Sequence, residues 1–286
     1  MSQLRSPAEI VEAMAHTGTE KSHAADLETG ADGRVGRHVY RLGTLLALEC
    51  AAGSPGLAAS DPGLVKLLFG AVFPLGFIAV TLTGADLFTS NCAAGMVSAW
   101  QRHINAGTLA RFWLVSYLGN MVGAVITAWL FGLQTHLITS DTSSAYLIHL
   151  AMGKVSHPFW MTFVKAMLAN LLVCVAAMQG YSAKDTLGRM LGIWFPVMAF
   201  VAMGMEHSIA NLFILPAAVM AGADISLTQM VWNNLIPATL GNIVGGALLI
   251  GLPYALIYTK ARVRPAEEVD AVVNGAASSA LPDMAH

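Results

Sequence analysis

The chain has 286 residues, of which 56% are apolar and only 11% charged, with a mean hydropathy of +0.62. A soluble domain carries about a quarter charged residues, so this composition describes a protein whose surroundings are largely lipid. The formal net charge is -2 and the Lys and Arg residues are scattered, which excludes the basic stripe that nucleic-acid binding requires.

In chain order, residues 1–34 form a polar segment without the apolar core of a signal peptide, and they are expected to stay in the cytoplasm. Ser6 can cap a helix that opens on Pro7 and carries Glu9 three residues after the cap. Ile10, Val11 and Met14 follow at helical spacing, the pattern of an amphipathic helix lying in the membrane interface. A hydrocarbon core roughly 30 Å thick takes about 20 apolar residues. Such stretches occupy 64–84, 112–134, 159–181, 190–219 and 235–258.

A sixth span is expected over 35–59, although Arg37, Arg41, Glu49 and Pro55 interrupt it and only 42–53 is mostly apolar. With six crossings and the N-terminus inside, every Lys and Arg except Lys66, Lys154 and Lys165 falls on the cytoplasmic side. That asymmetry is what the positive-inside rule demands, so both termini are expected in the cytoplasm, flanking a membrane domain at 35–259. The remainder, 260–286, bears Ala, Glu and Pro and is expected to be a disordered tail. Cys50, Cys92 and Cys174 lack metal-ligand spacing, and neither metal nor cofactor is expected.

The chain repeats itself. Gly119-Asn120-Met121-Val122-Gly123 returns as Gly241-Asn242-Ile243-Val244-Gly245, 122 residues later. Asp86 and Asn91 return as Glu206 and Asn211, 120 residues later, each pair following an apolar run that ends in Gly84 or Gly204. A repeat unit of three spans crosses an odd number of times, so its copies face opposite ways through the bilayer. The expected fold is an all-α integral membrane protein with six transmembrane helices in an inverted three-plus-three repeat. A carboxylate within a span costs a few kcal/mol unless it is paired or solvated, so the helices are expected to break at Asp86 and Glu206. Asp86, Glu206, Asn91 and Asn211 then support irregular loops, unless they serve only to tie helices together. His207 stands at the second break, and an imidazole with an unperturbed pKa of about 6.5 suits proton transfer.

GADLFTSN at 84–91, EHSIAN at 206–211 and NLIPATLGNIVGG at 234–246 together resemble the signatures of the formate/nitrite transporter family. The resemblance implies a homopentamer of aquaporin-like protomers in the inner (plasma) membrane, each with its own pore for a small monovalent anion moved with a proton. By position, it makes His207 the central histidine, Thr89 the loop threonine, Asn170 and Asn242 the pore asparagines, and Lys154 the lysine before the fourth span. It draws the apolar constrictions from Phe73, Phe77, Leu87, Phe88, Val173 and Phe200.

The chain departs from the family pattern at 30–41, where glycines and charges replace a continuous apolar helix. The GADLFTS spelling leans toward formate, with nitrite or hydrosulfide as alternatives. A neutral-solute channel would show an Asn-Pro-Ala pair at its breaks, and a membrane-embedded enzyme an HExxH or GxSxG motif; the sequence has none of these. An enzyme is therefore not expected.

Overall fold

A computed structural model of the chain describes residues 4–27 and 32–259, and the side chains of 25–39 lie outside that description, as does the tail expected at 260–286. Every named element within the described residues is helical. The helices are α1 (Pro7–Leu27), α2 (Asp32–Ala52), α3 (Pro55–Ser60), α4 (Pro62–Val72), α5 (Pro74–Thr83), α6 (Phe88–Trp100) and α7 (Ala106–Thr127). They continue with α8 (Asp141–Ser156), α9 (Phe159–Ser182), α10 (Thr186–Ala202), α11 (Ser208–Met220), α12 (Ile236–Ile243) and α13 (Leu252–Tyr258). π-helical turns extend α7 through Ala128–Leu133 and flank α12 at Gln229–Leu235 and Val244–Gly251.

Among the described residues, four continuous stretches are long and apolar enough to cross a membrane: Pro62–Thr83, Ala106–Leu133, Phe159–Ser182 and Gln229–Tyr258. Two shorter apolar helices, α10 and α11, follow one another across the second break. α2 is helical but too polar to stand among the four, because it carries the arginines of the departure at 30–41.

Local chemistry sets where the helices begin. Ser6 and Glu9 cap α1 reciprocally: the Ser6 amide and hydroxyl donate to Glu9 Oε2 at 2.7 and 2.8 Å, and Glu9 N donates back to Ser6 Oγ at 3.4 Å. The same bonds hold the Glu9 carboxyl below its ordinary pKa. Asn105, Ser140 and Asp185 cap α7, α8 and α10 by accepting from the amide three residues on, and a cap of this kind contributes about 1 kcal/mol.

Ile10, Val11, Met14 and Ala15 of α1 are buried with Ala93, Val97, Cys174, Met178 and Ile250. The outward faces are apolar: Trp160, Trp232, Leu256 and Ile257 stand more than half exposed. Water would not tolerate a surface of that extent, whereas lipid or a neighbouring subunit covers it without cost.

The first helix of the core lies unusually close to its neighbour. A methyl group on Gly76 of α5 would strike the Tyr40 carbonyl of α2, and one on Gly43 would strike the Phe73 carbonyl. This approach of two backbones carries Tyr40 and Arg41 into the centre of the protein, where both are fully buried.

Candidate functional site

The site is built on two helix breaks that use the same bonds. Gly84 ends α5 at φ +75° and Gly204 follows α10 at φ +66°, a left-handed conformation that glycine adopts without steric cost. The chain then folds back identically: Ala85 N donates to Val80 O and Met205 N to Phe200 O, both at 3.0 Å.

Each new helix is received by an asparagine. Asn120 accepts from Phe88 N at 3.2 Å and donates to Asp86 O at 3.3 Å. Asn242 accepts from Ser208 N at 2.8 Å and donates to Glu206 O at 3.1 Å, adding a bond to Ala166 O at 2.8 Å. Asn91 Nδ2 donates to Asp86 Oδ1 at 2.6 Å, and Asn211 Nδ2 to Glu206 Oε2 at 2.7 Å. Irregular backbone at membrane depth needs such partners, and Asn120 and Asn242 supply them, while Asn91 and Asn211 tie the two carboxylates to the helices that follow.

The carboxylates differ in what else they meet. Asp86 accepts from the Ser116 hydroxyl, while Glu206 Oε2 also takes Asn234 Nδ2 at 3.2 Å and the Lys154 ammonium at 3.1 Å. Lys21 of α1 reaches the first break, donating to Ala85 O at 3.0 Å.

His207 sits between the breaks, 1% exposed. Its Nδ1 accepts the Ala210 amide at 3.2 Å, capping α11, and lies 3.2 Å from the Tyr40 hydroxyl. An amide can only donate, so Nδ1 is the bare nitrogen of the neutral ring and Nε2 carries the hydrogen toward Thr89 Oγ1 at 3.0 Å. The imidazole stacks on Tyr40, with ring centroids 5.4 Å apart, and on Phe200 at 5.6 Å. Phe73 meets both of those rings edge-on.

One side of this cluster faces a cavity of about 560 Å³ lined by His207, Glu206, Phe73 and Phe200 together with Lys66, Lys154, Lys165, His149 and His157. Among the described residues its only carboxylate is Glu206, already engaged with Lys154, so this lining is cationic. Lys165 Nζ and His157 Nε2 are 3.5 Å apart within it.

The remaining residues singled out from the sequence fall around this centre. Asn170 joins the two breaks, donating to Thr89 O at 3.1 Å and to Asn242 O at 2.6 Å. Asn170 and Asn242 are both fully buried behind the cavity wall. Phe73 and Phe200 line the cavity, whereas Phe77, Leu87, Phe88 and Val173 are buried elsewhere in the core, Phe88 edge-on against Tyr117 at 5.2 Å.

A family model described as formate/nitrite transporter matches residues 8–256. The chain belongs to the formate/nitrite transporter family. This transporter is 39% identical over 232 residues to a "Probable formate transporter" of Methanothermobacter thermautotrophicus, covering 76% of this chain and 84% of that one. A solved "FNT family ion channel" superposes with a TM-score of 0.78 at 25% identity, covering 88% of this chain and 99% of the other. A "Pentameric formate channel with formate bound" does so with a TM-score of 0.67 at 30% identity, covering 86% and 98%.

Sequence reasoning missed four contributors to the transporter's site. Asn234 opens the 234–246 motif and was available as a signal; the π-turn Gln229–Leu235 carries it to Glu206. Lys66 and Lys165 were visible only as charges outside the cytoplasmic set. Tyr40 lies in the segment where the chain leaves the family pattern, 167 residues from the histidine it touches.

Proposed function

We propose that the transporter carries formate across the membrane through a pore in each protomer, with His207 lending the anion a proton at its narrowest point. The observation that carries this reading is a buried imidazole closing a lysine-lined cavity and backed by the rings of Tyr40, Phe73 and Phe200. Desolvating an isolated carboxylate costs on the order of tens of kcal/mol before compensation, so a bare anion does not enter an apolar ring. The cavity lysines draw it in. At the ring, imidazolium gives the Nε2 proton to a formate oxygen, leaving neutral imidazole and formic acid. The neutral acid crosses the apolar residues, Phe73 and Phe200 on the cavity side and Phe77, Leu87, Phe88 and Val173 beyond, and gives its proton to water on the far side, which restores the anion, while a proton from water on the cavity side recharges the imidazole.

Thr89 Oγ1 receives Nε2–H while that nitrogen holds its proton and donates to it once the proton has gone, and Asn170 and Asn242 fix the loops that hold both groups. Formate is favoured over nitrite by the GADLFTS spelling and by relatives named for formate. The matched bonds at the two breaks support six crossings in an inverted, aquaporin-like three-plus-three repeat. The reading extends to a homopentamer in the inner (plasma) membrane with both termini cytoplasmic, segment 1–34 resting on the membrane domain 35–259. Labelled formate and nitrite offered in competition to proteoliposomes from pH 5 to 8 test it. Saturable formate uptake that rises as the pH falls is the expected result, and absence of anion uptake overturns it.

A further inference from the structure

At His207 Nδ1, the Tyr40 hydroxyl is the one neighbour among the described residues that can both give and accept a hydrogen. Of the two partners at Nδ1, the Ala210 amide can only donate, and it loses its acceptor once that nitrogen is protonated. Tyr40 Oη, 3.2 Å from the same nitrogen, donates to it while the ring is neutral and has lone pairs to receive it once it is protonated. We infer that Tyr40 is a positioning residue for His207, whose hydroxyl turns from donor to acceptor as the imidazole gains its proton, so that the ring ionises without leaving its place.

The surroundings require such a partner. Stacking on Tyr40 and Phe200 restrains the imidazole, and the bond from Nε2 to Thr89 fixes its other end. Rotating a hydroxyl about one bond is a far smaller motion than turning that ring. The phenol does not itself ionise, since its ordinary pKa is about 10. After Nε2 has passed its proton to the anion, the imidazole carries its remaining hydrogen on Nδ1, and Tyr40 Oη receives it until a proton from bulk water reaches Nε2 again. The inference rests on His207 as the proton carrier and adds what lets it work.

The charges around His207 come from several elements. Arg41 of α2 adjoins Tyr40 and donates to Asn120 O, Lys154 of α8 is paired with Glu206, and His149, His157, Lys66 and Lys165 line the cavity. α6, α7 and α12 bring Thr89, Asn120 and Asn242, none of which titrates near neutrality. All of these remain in a Tyr40→Phe protein, so a change between it and the wild type reports the hydroxyl.

The test is solid-state ¹⁵N spectroscopy of the histidine-labelled full chain in liposomes across pH, with His207→Phe to assign the signal, alongside formate uptake. In Tyr40→Phe the protonation midpoint of His207 and the acid limb of uptake should both move to lower pH by about one unit, a tenfold loss of proton affinity. Should Tyr40→Phe fail to assemble, 3-fluorotyrosine at position 40, a stronger donor and poorer acceptor of the same shape, should move them the same way. A midpoint unchanged in the assembled variant overturns the inference. Uptake of unaltered pH dependence in His207→Phe would instead remove the proton-carrier reading, while the spectroscopic midpoint still decides whether Tyr40 positions the ring.

Discussion

Glu206 Oε2 receives donors from Lys154, Asn211 and Asn234, and removing the carboxylate leaves a buried ammonium and two amides facing each other. Breaking a buried ion pair from one side costs about 3–5 kcal/mol, because the surviving charge remains out of water. Glu206→Ala is therefore expected to lower the thermal midpoint and the yield of assembled protein, read by unfolding in detergent and by size exclusion. His207→Phe keeps an aromatic ring against Tyr40 and Phe200 and loses one cap, worth about 1 kcal/mol. It should assemble, and its formate uptake should lose the wild-type dependence on pH between 5 and 8. Equal damage to assembly in the two variants would make the histidine structural. Both residues were legible in the sequence because a carboxylate and an imidazole interrupt an apolar run. Tyr40 and Arg41 were not, since the sequence around them looks like a polar interruption and only the close crossing at Gly43 and Gly76 turns them inward.

At the scale of elements, the breaks were readable for a physical reason. Glycine, carboxylate and asparagine at fixed offsets are what an unwound segment in lipid needs, and Asn120 and Asn242, 122 residues apart, receive the helices after the two breaks. The cationic cavity was not readable, because Lys66, Lys154 and Lys165 come from α4, α8 and α9 and meet only once those helices pack. The two clamps also differ in load. Asn242 holds Ser208 N, Glu206 O and Ala166 O, whereas the Asn120 side chain holds Phe88 N and Asp86 O. Hydrogen bonds within membrane proteins average about 0.6 kcal/mol, and an orphaned buried group costs about 1–3 kcal/mol. Asn242→Leu should thus destabilise more than Asn120→Leu in thermal unfolding of the purified protein; the reverse order would mean that the first break carries the greater strain. Gly204→Val should be worse than Gly204→Asn, because asparagine tolerates positive φ and a β-branched side chain does not.

For the whole molecule, the decisive question is where the anion path lies in the assembly. His207 and Thr89 are buried inside the protomer, with no exposed face to offer a neighbour. The exposed surface is instead apolar, with Trp160, Trp232, Leu256 and Ile257 projecting outward, and such a surface suits packing against lipid and sister subunits rather than lining an aqueous path. In a pentamer this gives five parallel pores, each with its own imidazole. Mixed pentamers of wild-type and His207→Phe chains, separated by a charged tag, make the two geometries distinguishable. With independent pores, the wild-type, pH-dependent part of formate uptake falls in proportion to the number of substituted subunits. A path along the five-fold axis would place five histidines on one route, and a single substitution would then perturb the whole flux. The expected result is the linear series, because the two breaks meet at Thr89 and His207, both buried within one protomer.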